Sequence, residues 1–204
     1  GQLNCSANSH GIKLASPAHS AGQSYTLKFP TGNLTAGNVL KINSITGSGT
    51  TAVGQLEAPS QLTMPNQSAF LAQPASTINN LSTGANNGIV FGTERFDQNA
   101  DYNTSTGVFT APVTGKYMFN VTFYLNNIDQ AASYYEPRLD TSNRAYYVNF
   151  DPDFGQDNSY FTVTFAHLVD MDANDTADIN IHQDGGNSQT DISTASMFSM
   201  YLVC

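Results

Sequence analysis

Two groups of acidic residues are the side chains whose chemistry is easiest to name. They are Asp151, Asp153 and Asp157, and then Asp170, Asp172 and Asp175 with Asn174 among them. Oxygen ligands at alternate positions of a loop are what Ca²⁺ prefers. Neither group has the glycine and the distal glutamate of an EF-hand loop, so solvated turns are the simpler explanation. Calcium at Asp170, Asp172 and Asp175 is the one cofactor hypothesis that the sequence supports.

Motifs for covalent or acid–base catalysis are missing from the sequence. It has no Gly–x–Ser–x–Gly, no glycine-rich phosphate loop and no His–Glu–x–x–His. The four histidines lie far apart, with no cysteine or carboxylate at metal-ligand spacing. A pair of aspartates is formally enough for glycoside hydrolysis, but no other feature favours it. We therefore predict a binding or structural protein and not an enzyme.

The segment 134–160 combines seven aromatic residues with amides, carboxylates and Arg144. Aromatic faces beside polar groups bind sugars or protein epitopes. Packing in the core, or around a threefold axis, is the alternative for most of these rings. The residues that we predict to contact a ligand are Arg144, Asn149, Asp151, Asp153, Phe154 and Gln156.

Charge excludes several classes of partner. The formal net charge is −9, with only seven lysines and arginines, and no run of the chain forms a basic patch. Binding to nucleic acid or to an anionic membrane surface is therefore disfavoured. No apolar stretch approaches the roughly 18–20 residues of a membrane span.

Cys5 and Cys204 form a disulfide if the two ends meet; two unpaired thiols or an inter-chain bond are the alternatives.

The elements that must position these residues fall into two regions and a joint. Residues 1–57 contain short β-like pieces at 12–14, 25–29 and 39–42, with few large apolar side chains. This region cannot bury enough surface to offset its chain entropy, so we expect it to need partner chains or a neighbouring protein. Residues 58–67 form a proline-containing linker, and 68–204 hold one complete β-domain.

Eight strands are predicted in the C-terminal region, and no helix. They cover 68–73, 88–91, 107–110, 115–125, 145–150, 160–169, 177–183 and 195–203. In 116–123, Tyr117, Phe119, Val121 and Phe123 alternate with other residues and share one face. This number and spacing of strands is typical of an all-β sandwich or jelly roll.

The stretch 91–120 carries the most informative motif of the chain. Its key residues are Phe96, Asn99, Tyr102, Asn103, Thr106, Gly107, Phe109, Pro112, Gly115, Tyr117 and Phe119. Their order and spacing resemble the globular heads of the complement component 1q family, which are jelly rolls of the tumour-necrosis-factor type. The resemblance covers residues 68–204. Two departures are Asn174–Asp175, where the family has Gly–Asp, and the segment 133–160, which does not align.

The resemblance implies a jelly-roll β-sandwich that assembles as a homotrimer. It makes Phe109, Tyr117, Phe119 and Tyr201 core or inter-subunit residues and gives no residue a catalytic role.

The N-terminal region has a shorter resemblance, carried by the stretches 11–32 and 37–49. They are similar to modules of bacteriophage tail-fibre and virion proteins. Our functional hypothesis is therefore a trimeric protein of the virion surface: a tail fibre, a capsid fibre or a decoration protein. Residues 1–57 would attach to other virion proteins or intertwine with the other copies as a trimerisation segment, and the jelly roll would bind a host-surface glycan or protein. The alternative is an extracellular recognition module of the complement component 1q type.

Overall fold

The computed structural model describes residues 2–4, 11–13, 25–32, 38–48, 52–59, 64 and 66–204. All regular structure within these ranges is β. The chain divides into two compact units, Gly1–Met64 and Pro65–Cys204.

The described part of the N-terminal unit contains five short strands. They are β1 (Gln2–Asn4), β2 (Gly11–Lys13), β3 (Tyr25–Lys28), β4 (Lys41–Thr46) and β5 (Ala52–Glu57). β1 and β2 form an antiparallel pair. In a second sheet, of order β3-β5-β4, the central strand β5 is parallel to β3 and antiparallel to β4. The third β-like piece was predicted at 39–42, but strand β4 begins and ends later. Strand β5 was not predicted, because Gly54 and Gln55 interrupt its apolar pattern.

The C-terminal unit is a sandwich of two six-stranded sheets. Its strands are β6 (Ala69–Gln73), β7 (Asn86–Ile89), β8 (Thr93–Asp97), β9 (Tyr102–Asn103), β10 (Val108–Thr110), β11 (Gly115–Ile128), β12 (Ala132–Thr141), β13 (Ala145–Tyr147), β14 (Asn158–Met171), β15 (Thr176–Gly185), β16 (Asp191–Ile192) and β17 (Met197–Leu202). Sheet I has the order β14-β11-β17-β6-β8, with β16 beside β11. Sheet II has the order β13-β12-β15-β10-β9, with β7 beside β15. The predicted all-β sandwich is confirmed.

Alternating apolar residues of both sheets form the core. Phe198 of β17 lies at its centre, with ring centroids of Phe70, Phe91 and Phe119 5.0, 5.6 and 6.0 Å away. All four rings are at most 1% exposed. Each buried phenylalanine contributes about 1.5–3 kcal/mol, so this cluster is a main source of the unit's stability.

The eight strands predicted for this unit are all present, with shifted ends, and four more were not predicted: β8, β9, β12 and β16. Strand β12 shows why. Its polar residues and Pro137 hide an alternation in which Tyr135, Pro137 and Leu139 face the core and the residues between them face outward. Strand β12 pairs with β15 in antiparallel fashion. Leu139 of β12 lies opposite Ile179 of β15, so the two apolar side chains are neighbours.

The turn at 172–175 accounts for one departure from the family pattern. Asn174 has a φ of 75°, in the left-handed region that favours glycine. Asparagine tolerates this conformation better than other residues with a Cβ. The change from Gly–Asp to Asn–Asp therefore preserves the turn.

Candidate functional site

The part of the outward face of sheet I that β14, β11 and β17 form, which we name the sheet I face, is uncharged along most of its length. Its members between the pairs Lys116–Asp170 and Asn126–Tyr160 are Met118, Asn120, Thr122, Tyr124, Thr162, Thr164, Ala166, Leu168, Met197, Ser199 and Tyr201. Leu168, Met197 and Tyr201 are each about half exposed, at 55%, 48% and 48%. A sheet face without charges that exposes leucine, methionine and tyrosine among small polar residues is typical of a protein–protein contact.

The outward face of sheet II is charged and held by its own network. Arg138 donates to Asp140 Oδ1 from Nη2 at 2.8 Å and to Glu136 Oε1 from Nη1 at 3.3 Å. Asn180 Nδ2 bridges Asp140 Oδ2 (2.9 Å) and Asp178 Oδ2 (2.8 Å). The hydrogen bonds that the Arg138 guanidinium donates to Asp140 raise the pKa of Arg138. Burial, and then repulsion by Asp140, raises the pKa of Asp178. The two faces of the sandwich therefore differ sharply in charge.

The predicted ligand residues lie at opposite ends of the sandwich. Arg144 Nη2 is 3.7 Å from Asp170 Oδ1, near the end of β14. The Phe154 ring is 5.4 Å from that of Phe161, near the beginning of the same strand. Nine residues of strand separate Phe161 from Asp170, a distance of about 30 Å. Arg144 therefore does not share a site with Phe154.

The remaining predicted ligand residues lie in or beside one loop, 148–157. Asp151 Oδ1 accepts from the backbone N–H of Asp153 at 3.0 Å, and both residues are exposed. Gly155 has a φ of 77° and Gln156 is exposed. Asn149 lies apart: in the amide orientation that gives both its atoms partners, it donates to Glu136 Oε2 at 3.2 Å on the sheet II face.

This loop belongs to what we name the loop end of the sandwich, formed with residues 78–80, 127–131 and 186–191. Asp157 Oδ1 accepts from the Gln130 N–H and its Oδ2 from Gln189 Nε2, both at 3.0 Å. The hydrogen bond from Gln189, followed by that from Gln130, lowers the pKa of Asp157. The carboxylate therefore fixes two loops and stays ionised down to lower pH than a free aspartate.

An open polar cleft lies at the loop end. It is lined by Asn80, Asn127, Asp157, Asn158, Ser159, Gln189 and Asp191. Asp191 accepts from the Asn80 N–H (2.8 Å) and from Asn127 Nδ2 (3.1 Å). Next in sequence to the cleft, Tyr160 is 69% exposed. Amides and fixed carboxylates beside an exposed ring suit a polyhydroxylated or peptide ligand.

Most of the cleft could not be found from the sequence. Asn80 and Gln189 lie in loops, whereas Asn127 is near the end of β11 and Asp191 begins β16, and the four residues share no motif. The only signal was Asp157, which we had grouped with Asp151 and Asp153.

The second acidic group sits at the opposite end, which we name the turn end. Asp175 Oδ2 accepts from the Asp172 N–H at 2.8 Å and from Asn143 Nδ2 at 2.6 Å. The pKa of Asp175 is lowered, and the hydrogen bond from the Asp172 N–H is the largest cause. Asp170 is the neighbour of Arg144. In the described ranges no three His, Cys, Asp or Glu side chains gather as they would around a metal ion, so the geometry adds nothing to the calcium hypothesis.

Four residues were predicted to lie in the core or between subunits. Phe109, Tyr117 and Phe119 are at most 1% exposed, in the core of the unit. Tyr201 is 48% exposed and lies on the outward face of sheet I.

Cys204 is exposed, whereas Cys5 lies outside the described residues, so the pairing of the cysteines stays a prediction. Across the described ranges, no helix is long and apolar enough to cross a membrane.

Comparison with known proteins gives the family. The C1q domain family model matches residues 69–203. The globular domain of zebrafish complement 1qA has a TM-score of 0.51 and 19% identity, over 68% of this chain and 98% of that one. Murine APRIL (pH 8.5) has a TM-score of 0.48 and 8% identity, over 68% of this chain and all of that one. Eiger TNF from S. frugiperda has a TM-score of 0.47 and 10% identity, over 68% and 92%.

The comparison with curated proteins finds no match. The family match covers well over half of the chain and includes the motif in 91–120, which confirms the resemblance of the C-terminal region to the complement component 1q heads. By its sequence and its jelly-roll sandwich, the chain belongs to the C1q domain family.

Proposed function

We propose that this protein is a homotrimeric recognition module of a bacteriophage virion surface: a tail fibre, a capsid fibre or a decoration protein. The observation that carries the proposal is the uncharged outward face of sheet I. Domains of the C1q and tumour-necrosis-factor type associate as homotrimers, which supports self-association here.

The sheet I face is chemically suited to packing against copies of itself. Its central row holds Leu168, Met118 and Tyr201, and a row further along holds Thr164, Thr122 and Met197. No charge in these rows has to be desolvated, a step that costs several kcal/mol per ion. Partners of identical sequence supply equally uncharged surfaces, and closed cyclic symmetry buries all of them.

Packing through sheet I leaves the charged face of sheet II in solvent. Its ion pairs are already satisfied within the chain, so it needs no partner. The loop end, with the cleft at Asp157 and Asp191, is our proposed contact for a host-surface glycan or protein. Three copies of one weak site multiply the affinity for a repetitive surface.

Introducing a charge into the sheet I face directly tests whether this face is the trimer contact. We expect Thr122→Lys to dissociate the trimer at micromolar concentration, because three ammonium groups would be buried in one contact that offers them no opposite charge. Thr122 lies in the middle of the face, where its Oγ1 is 3.1 Å from Thr164 Oγ1. Mass photometry of the variant reports the oligomeric state, and circular dichroism checks that the monomer is folded.

Thr110→Lys is the matched control, because Thr110 is an exposed strand residue of sheet II. It should remain trimeric. A Thr122→Lys protein that is still a trimer would show that sheet I is not the contact.

The virion setting is supported by the similarity of residues 11–32 and 37–49 to modules of phage fibres. An extracellular recognition module of the complement type is the alternative, favoured by the extracellular setting that is typical of this domain family. A cryo-EM map of the native assembly separates the two. Threefold density for this chain on a phage particle supports the first, and its absence from such particles, with the protein found on a cell surface, supports the second.

A further inference from the structure

The three-stranded sheet of the N-terminal unit has two different faces. Leu27 of β3 pairs with Gly54 of β5, which pairs with Ile45 of β4. Two residues further along β5, Leu56 pairs with Ile42. Paired residues point to the same side of a sheet, and alternate rows return to that side. Both rows therefore lie on one face.

This face, which we name the apolar face, is open to solvent. Leu27 is 49% exposed, Ile42 52% and Ile45 65%. Phe29 follows β3 and, at 69% exposed, extends the alternation that begins with Leu27. At Gly54 a Cβ would lie 3.1 Å from Leu27 Cδ2 and 3.6 Å from Ile42 Cγ2. The two side chains thus lean over the glycine and make the apolar face continuous.

The opposite face is mostly polar, with Val53 as the one apolar residue that β5 contributes to it. In β5, Gln55 and Glu57 alternate with Gly54 and Leu56, and their cross-strand partners are Lys28, Ser44 and Lys41. Lys41 Nζ is 3.1 Å from Glu57 Oε1. The charges of these strands therefore lie on one side of the sheet, and the apolar face has none.

We propose that the apolar face is covered by the apolar faces of the other two copies of this chain, so that the N-terminal sheets form a second contact within the trimer. The inference rests on the proposed trimer of the C-terminal unit. Eleven residues connect Glu57, the last residue of β5, to Ala69, the first of β6. A connection of this length spans at most about 40 Å, so trimeric heads hold three sheets at high effective concentration.

The short connection to the jelly roll favours a copy of the chain over a different protein. Wherever the heads are trimeric, it holds two further identical apolar faces at high effective concentration, and none of them carries a charge that has to be desolvated. A sheet of three short strands also requires packing on its apolar side for stability. Three tethered sheets supply this packing from a single sequence.

Disulfide trapping tests the inference on the full chain. In a Cys5→Ser, Cys204→Ser background, Ile45→Cys places one thiol on the apolar face, and Ser44→Cys places it on the opposite face one residue away. Both native side chains are exposed. During mild oxidation, followed on non-reducing gels, we expect Ile45→Cys to form covalent dimers at least tenfold faster than Ser44→Cys. Leu27→Cys against Lys28→Cys repeats the comparison on β3.

Mass photometry of the same samples separates the two claims. Trimers in which the paired variants cross-link equally fast, or not at all, overturn this inference and leave the proposed function standing. Monomers overturn both. Trimers with faster cross-linking at Ile45 and Leu27 support both.

Discussion

Replacing Tyr117 by aspartate is expected to unfold residues 65–204 and not to impair a binding site. Tyr117 is fully buried, its ring centroid is 5.5 Å from that of Phe109, and its hydroxyl donates to the Val113 carbonyl at 2.6 Å. The change removes an aromatic ring from the core and buries a carboxylate without a partner. We expect a loss of more than about 5 kcal/mol, comparable with the total stability of a domain.

Tyr147→Asp is the matched control, because Tyr147 is 56% exposed on the short strand β13. We expect its unfolding free energy to stay within about 0.5 kcal/mol of the parent. Urea unfolding followed by circular dichroism gives both values. A Tyr117→Asp protein that is soluble and thermally normal would refute a purely structural role for the motif.

Gly186→Ala is expected to lower the unfolding free energy by about 4 kcal/mol or more. Gly186 has a φ of 69°, which is strained for any residue with a Cβ. A Cβ there would lie 2.6 Å from Asp129 Oδ2 and 2.8 Å from the Ala132 nitrogen. Asp129 is 2% exposed and accepts from the Ala131 N–H at 2.8 Å and from the Asn187 N–H. Moving this carboxylate breaks charge-assisted hydrogen bonds between two loops of the loop end.

Gly84→Ala separates backbone strain from this clash. Gly84 has nearly the same φ, 72°, but nothing lies within 4 Å of its added Cβ. Its expected loss is about 1–2 kcal/mol, the cost of the left-handed conformation alone. Thermal melts of the two variants provide the comparison. Equal losses would mean that Asp129 can move freely and does not fix the loop end.

The sandwich could be predicted from the sequence because its signals are local. Tyr117, Phe119, Val121 and Phe123 alternate within one strand, and the motif in 91–120 is continuous. Strand β12 was not predicted from the sequence. One face of its sheet is charged, so Glu136, Arg138 and Asp140 alternate with the core residues of the strand and hide the apolar pattern.

The polar cleft and the two sheet faces depend on long-range pairing instead. Asn80 and Asp191 are 111 residues apart and meet through one hydrogen bond. Single-sequence patterns contain no record of such a contact. The predicted ligand residue Arg144 was grouped with Phe154 by closeness in sequence, although β14 places them at opposite ends of the sandwich.

The central claim is that the chain assembles through an uncharged sheet face into a trimer. Sedimentation equilibrium of the full chain at micromolar concentration tests this most directly. The expected result is a single species of three times the chain mass of 21.9 kDa. A stable monomer of 21.9 kDa under the same conditions would contradict the claim.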